Sequence, residues 1–186
     1  SNDILTVGTS NGNVGIGTAS PEEQLTITKN FRLSPTTHEN LNGIIYKDGN
    51  RFIHDFNYGY SGSTTTVGQN TFIGINAGNL TMGEGVISPF QASYNVGVGA
   101  SAFTSNTSGN YNTAVGASSL YSNTSGANNT AFGYSALTSN MSGNYNTAVG
   151  ASSLYSNTSG YNTAVGYVSL YSNISGSYNT AVGASS

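Results

Sequence analysis

The sequence predicts an all-β protein built as a parallel β-solenoid of coils about 17 residues long. Three observations carry that prediction. First, GNYNTAVGASSLYSNTSG at 109–126 recurs letter for letter at 143–160, with a looser copy between the two and further copies after them. Second, the glycine that ends each (Val/Phe)-Gly pair recurs at Gly99, Gly116, Gly133, Gly150, Gly166 and Gly183, spaced by 17, 17, 17, 16 and 17 residues. Self-similarity at such a fixed period marks a stacked array. Third, the unit is too short for a packed helix pair, whose members average about 11–12 residues each. Its Asn, Thr, Ser and Gly content also disfavours helix.

The chain begins with three short alternating segments, ILTVG, NVGIG and QLTIT, within 1–28. Asn11-Gly12 and Ser20-Pro21 are turn signals between them. Residues 29–60 change character: they hold all four basic residues and both histidines, and they do not repeat. The run IIYKDGNRFIHDF places two apolar stretches around Asp48-Gly49 and reads as a β-hairpin. We expect 29–60 to form a small β-rich capping module, since an open solenoid end needs protection from strand addition. The repeat domain is then 61–186. Gly74 is an earlier marker, and the 25 residues from it to Gly99 predict an insertion over about 81–93.

Within the unit each position has its own residue type. Asn stands four before the marker (Asn70, Asn95, Asn112, Asn129, Asn146, Asn162, Asn179) and seven after it (Asn106, Asn123, Asn140, Asn157, Asn173). Thr-Ala-Val before the glycine alternates, and a large apolar residue follows four after it. Two short strands and two turns per coil fit this pattern, with Asn-x-Ser-Gly supplying a turn. Equivalent strands then stack in register, and the asparagines form amide ladders. The expected core is the column before the marker (Val98, Val115, Phe132, Val149, Val165, Val182) with the column four after it (Phe103, Leu120, Leu137, Leu154, Leu170).

Charge excludes several functions. Asp, Glu, Lys and Arg make up 6% of the chain, and Glu84 is the only one between Ser61 and Ser186. Nucleic acid binding requires clustered Lys and Arg, so no nucleic acid partner is expected, and the same holds for anionic membranes. No run approaches the roughly 20 apolar residues of a membrane span, so no membrane insertion by this segment is expected. With no Cys, thiol chemistry is absent. His38 and His54 with Glu39, Asp48 and Asp55 lack a metal-ligand spacing and read as polar residues of the small module. GNVGIG at 12–17 is not the dinucleotide fingerprint. We therefore expect no catalytic residue, no metal and no cofactor.

The repeats, NTAVGASSLYSNTSG, resemble those of phage tail-fibre proteins and of the heads of trimeric autotransporter adhesins. GNVGIGTASPEEQLTI at 12–27 is similar to a segment frequent in tail fibres. The period is longer here than in adhesin heads. The resemblance implies a homotrimer, an extracellular location on a cell surface or virion, structural or attachment work, and no enzymatic activity. A thin coil with one Val and one Leu per turn also points to a second packing partner, because apolar burial contributes only about 25 cal/mol per Å2. The function expected is thus a non-catalytic attachment fibre. Its alternatives are an ice-binding solenoid or the shaft of a larger fibre that carries a depolymerase elsewhere. A host-surface glycan or protein receptor would meet the unlike residues, and Tyr46, Arg51, Phe56, Tyr58 and Glu84 are the candidates. The repeat tyrosines read either as a sugar-stacking ladder or as filling between chains.

Overall fold

The computed structural model describes residues 5–7, 14–16, 25–27, 37, 43–56, 60–61 and 64–186. They divide between two compact units, Ser1–Ser34 and Pro35–Ser186. In the first unit, β1 (Leu5–Val7) pairs antiparallel with β2 (Val14–Ile16), and β2 pairs parallel with β3 (Leu25–Ile27). These are the three segments whose alternation predicted strands.

The second unit is a parallel β-solenoid. Its strands β8 (Thr71–Ile73), β9 (Val96–Val98), β10 (Thr113–Val115), β11 (Thr130–Phe132), β12 (Thr147–Val149), β13 (Thr163–Val165) and β14 (Thr180–Val182) pair in that order. Register places like over like: Thr113 faces Thr130, and Ala114 faces Ala131. The 16-residue step keeps this register, with Thr147 on Thr163. Its missing residue is absorbed at the corner, where Asn146 donates to Ser159 O instead of to a glycine carbonyl.

Each coil contributes one strand, not the two expected. The opposite side is turn-like yet still laddered, as in Leu120 N–H to Ala136 O and Ser122 N–H to Thr138 O. Its backbone alternates through the left-handed region at Ser118 (φ 58°) and Leu120 (φ 47°), which breaks strand geometry. The left-handed residues of this coil are therefore Ser118, Leu120 and, at the corner before them, Tyr111 (φ 54°), and none lies in the Asn-x-Ser-Gly turn at 123–126. The marker glycines are held by close approach as well as by φ. A Cβ on Gly99 (φ 133°) would lie 2.6 Å from the carbonyl carbon of Gly116 in the coil above.

The core also corrects the expected one. Phe103, Leu120, Leu137 and Leu154 are fully buried, and Leu170 is half-buried in the penultimate turn. The facing position is alanine: Ala114, Ala131, Ala148 and Ala164 are fully buried. The column before each marker points outward instead. Val98, Val115 and Val149 are half-buried, while Phe132 (57%), Val165 (36%) and Val182 (72%) are exposed. Parity explains this. The asparagine two residues before each alanine is buried, so strand alternation puts Asn and Ala inside and Thr and Val outside. The coil is thin, and a leucine reaching across it leaves room for one methyl group.

The first coil packs differently. Phe72 stands at the alanine position and is fully buried. Gly78 replaces the leucine and Gly97 replaces the next alanine, and a Cβ on either would sit 2.6–2.8 Å from the Phe72 ring. On its outer edge β5 (Asn50–His54) pairs antiparallel with β8, matching Ile53 to Ile73 and His54 to Phe72. β4 (Ile45–Lys47) completes the sheet as the hairpin partner of β5. Asp48 (φ 50°) and Gly49 (φ 75°) form its turn. A short pair, β6 (Tyr60–Ser61) with β7 (Thr64–Thr65), precedes the coils.

Two asparagine ladders run through the interior. In one, Asn112, Asn129 and Asn146 each donate Nδ2–H to Oδ1 of the asparagine one coil earlier, at 3.1 Å. The same Oδ1 accepts the backbone N–H of the later asparagine. In the other, Asn123 and Asn140 donate to Asn106 and Asn123 at 3.2 and 3.0 Å. Nδ2–H of both columns also satisfies glycine carbonyls at the corner, such as Gly126 O. Buried amides with every bond made fix the register, whereas a slipped register would strand them.

Candidate interaction surface

The outward face of the sheet carries two rows along the coils. One is threonine, with Thr71, Thr113, Thr130 and Thr180 exposed; the other is the apolar row from Ile73 to Val182. Tyr134 and Tyr167 (each 64% exposed) flank the apolar row just past the marker glycine.

Tyrosines form stacked rows at the coil corners. Tyr145, Tyr161 and Tyr178 stack with ring centroids 5.0 and 4.8 Å apart, and Tyr94 stacks on Tyr111 at 4.9 Å. On the other side of the coil Tyr155 stacks on Tyr171 at 4.9 Å. Rings stacked on one another cover their own faces. Their edges and hydroxyls meet solvent, so a sugar could lie on a ring face only at the end of a row.

The insertion over 81–93 is built into the first coil. Met82 and Val86 are buried, and Gly83 N–H and Ala92 N–H bond to Thr107 O and Ser108 O of the next coil. Between them a knuckle projects, with Ile87 88% and Phe90 49% exposed. Gln91 pins it: its Oε1 accepts Ile87 N–H and Ser88 N–H at 2.9 and 3.0 Å. These two apolar residues were absent from the sequence-derived candidates. The signal was an apolar pair within MGEGVISPFQ, a segment that interrupts a strict period.

The sequence-derived candidates are not gathered into one site. Tyr46 and Arg51 are register partners on the hairpin, and Tyr46 is exposed. Arg51 is half-buried and donates Nη2–H to Gly78 O at 3.1 Å, and its buried Nε has no acceptor among the described residues. Burial lowers its pKa, with Tyr46 opposing. Phe56 is corrected from a surface candidate to a core residue. It is fully buried because it closes the first coil, and its carbonyl accepts Asn70 Nδ2–H at 2.8 Å. Glu84 is exposed on the insertion, and Tyr58 lies outside the described residues.

His54 is 4% exposed, with its ring 5.0 Å from that of Phe72. Nδ1 accepts Phe56 N–H at 3.3 Å, so Nε2 carries the proton and donates to Ala77 O at 2.8 Å. Burial lowers its pKa first of all; Arg51 acts in the same direction, and the Ala77 carbonyl and Asp55 oppose. Both ring nitrogens are thus engaged. No group of three or more His, Cys, Asp or Glu side chains gathers among the described residues. No protein-family model matches the sequence, and neither a curated protein nor a solved structure does.

Proposed function

We propose that this chain is a non-catalytic structural and attachment segment of a homotrimeric fibre, borne on a virion as a tail fibre or on a cell surface as an adhesin. The observation that carries the reading is the uncharged outward face of the coils' sheet, where the apolar row from Ile73 to Val182 is half-buried or exposed at every coil. Parallel copies with the same pitch would bring apolar rows together at every level, and no charge in the repeats would be desolvated. Recognition of a host-surface glycan or protein falls to residues that break the repeat: the Ile87–Phe90 knuckle with Glu84, and Tyr46 on the hairpin. The test is mass in solution. Light scattering should give about three times the 19.1 kDa chain mass; a monomer at micromolar concentration overturns the reading.

A second reading, an ice-binding solenoid, draws support from the threonine row exposed beside the valines on a regular sheet. Thermal hysteresis in dilute monomeric protein separates the two.

A further inference from the structure

We propose that His54 makes the seating of the β4–β5 hairpin on the first coil sensitive to acid, so that mild acidification frees the edge of β8 while the later coils stay folded.

The geometry demands a neutral ring. Nδ1 must be bare to accept Phe56 N–H, and both nitrogens of an imidazolium are donors. Protonation would set Nδ1–H against Phe56 N–H and place a charge beside Phe72 in a site nearly closed to water. Two described charged groups act on the ring. Arg51, from the same strand, opposes its charge; Asp55, exposed one residue on, favours it. The residues facing the ring from the first coil, Phe72 and Ala77, are neutral.

What depends on this ring is the junction itself. Gly74 N–H donates to Phe52 O at 2.6 Å, and Asn76 N–H donates to Arg51 O at 3.0 Å. Arg51 reaches Gly78 O, and Phe56 O holds Asn70, the first asparagine of its ladder. All four contacts involve residues within three positions of His54. Beyond the junction the repeats contain no histidine at all, so nothing in them has its ordinary titration midpoint near pH 6.5. Acid therefore acts on one end of the solenoid and leaves the other untouched.

Hydrogen exchange on the full chain tests this, at about pH 7.5 and about pH 5, corrected for intrinsic rates. The Gly74 and Asn76 amides should open more often at the lower pH, by at most about tenfold per pH unit, the limit for one proton. Thr130 and Gly133 amides, which bond between later coils, should not change. In His54→Gln the side chain can still donate to Ala77 O and accept from Phe56 N–H without titrating, and the pH dependence should vanish. His38→Gln should retain it. Equal protection of Gly74 and Asn76 at both pH values overturns the proposal. So does opening that extends equally to Thr130 and Gly133, or a dependence that survives in His54→Gln or disappears in His38→Gln. If His54→Gln fails to fold, the wild-type profile and His38→Gln decide.

Discussion

In the first coil Phe72 fills the space that an alanine and a large residue share in the coils from Ala114 onward. The first coil also differs in its surroundings: a buried histidine, a half-buried arginine and an antiparallel hairpin close one side. The later coils contain no charge, and those within the array are bounded on both sides by further coils. A coil inside the array finds its partners by symmetry, because each residue meets its own kind one coil away. The coil at the end has no such neighbour on its outer side. It needs unlike residues to satisfy Asn70 and to cover β8, and so the non-repeating chemistry collects there.

The sharpest way to break this contrast is at the two faces of one strand. Ala148→Asp puts an unpaired carboxylate into the closed interior and should cost more than about 4 kcal/mol. Val149→Asp, one residue on, should cost the isolated chain about 1 kcal/mol, because the side chain points outward and is half-buried. Thermal melts of the pair decide. In the proposed trimer Val149→Asp should also abolish assembly, which light scattering reads.

Next comes the swap between the two kinds of core. Phe72→Ala should cost about 3–5 kcal/mol as a cavity opens. Adding Gly78→Leu rebuilds the later-coil pairing and should recover part of the loss. If the double variant is no better than the single, the two cores are not alternative fillings of one space.

Asn129→Ala should cost about 2–3 kcal/mol. It removes the acceptor of the Asn146 backbone and side-chain N–H groups, while Gly143 O keeps Asn140 Nδ2–H. Asn179→Ala, at the half-buried last coil, should cost less than about 1 kcal/mol. Equal melting shifts would show that the ladder does not hold the array together.

The smallest effect is that of His54 on stability against pH. Its folded pKa lies below the ordinary value of 6.5. The unfolded chain therefore takes up the proton first, and stability is full above about pH 6.5 and lost as pH falls below it. The slope should not exceed about 1.4 kcal/mol per pH unit. Chemical denaturation between about pH 7.5 and 5 measures it.

The coil period, the single parallel stack, the amide ladders and the β4–β5 hairpin were all legible from residue spacing. The facing of Thr-Ala-Val was misread because hydrophobicity alone places valine inside. The buried asparagine of the same parity held the correct answer, but only once its ladder is known to be internal. The second side of the coil was misread as strand because its left-handed residues, such as Leu120, give no compositional sign of positive φ. The surface candidates fared unevenly for a related reason. Phe56 looks like Tyr46 in sequence, and only the end of the array, which draws Phe56 in, tells them apart. Ile87 and Phe90 were hidden because an apolar pair in a loop reads equally as packing or as display.

The ladder has a consequence for how such a gene can change. Each interior asparagine of the ladder bonds one coil back and one coil forward, as Asn112, Asn129 and Asn146 do. An in-frame duplication of a whole coil therefore adds length and leaves each existing hydrogen bond with an equivalent partner. A partial duplication would turn strand faces over and strand the amides. The segments at 109–126 and 143–160, two coils apart, are identical, so a whole-coil step would leave their contacts unchanged. The one-residue deletion before Gly166 sits at a corner, where a carbonyl can be exchanged without moving the strand. Length in such a protein is a heritable quantity that mutation can adjust in whole steps, separately from the fold of each coil.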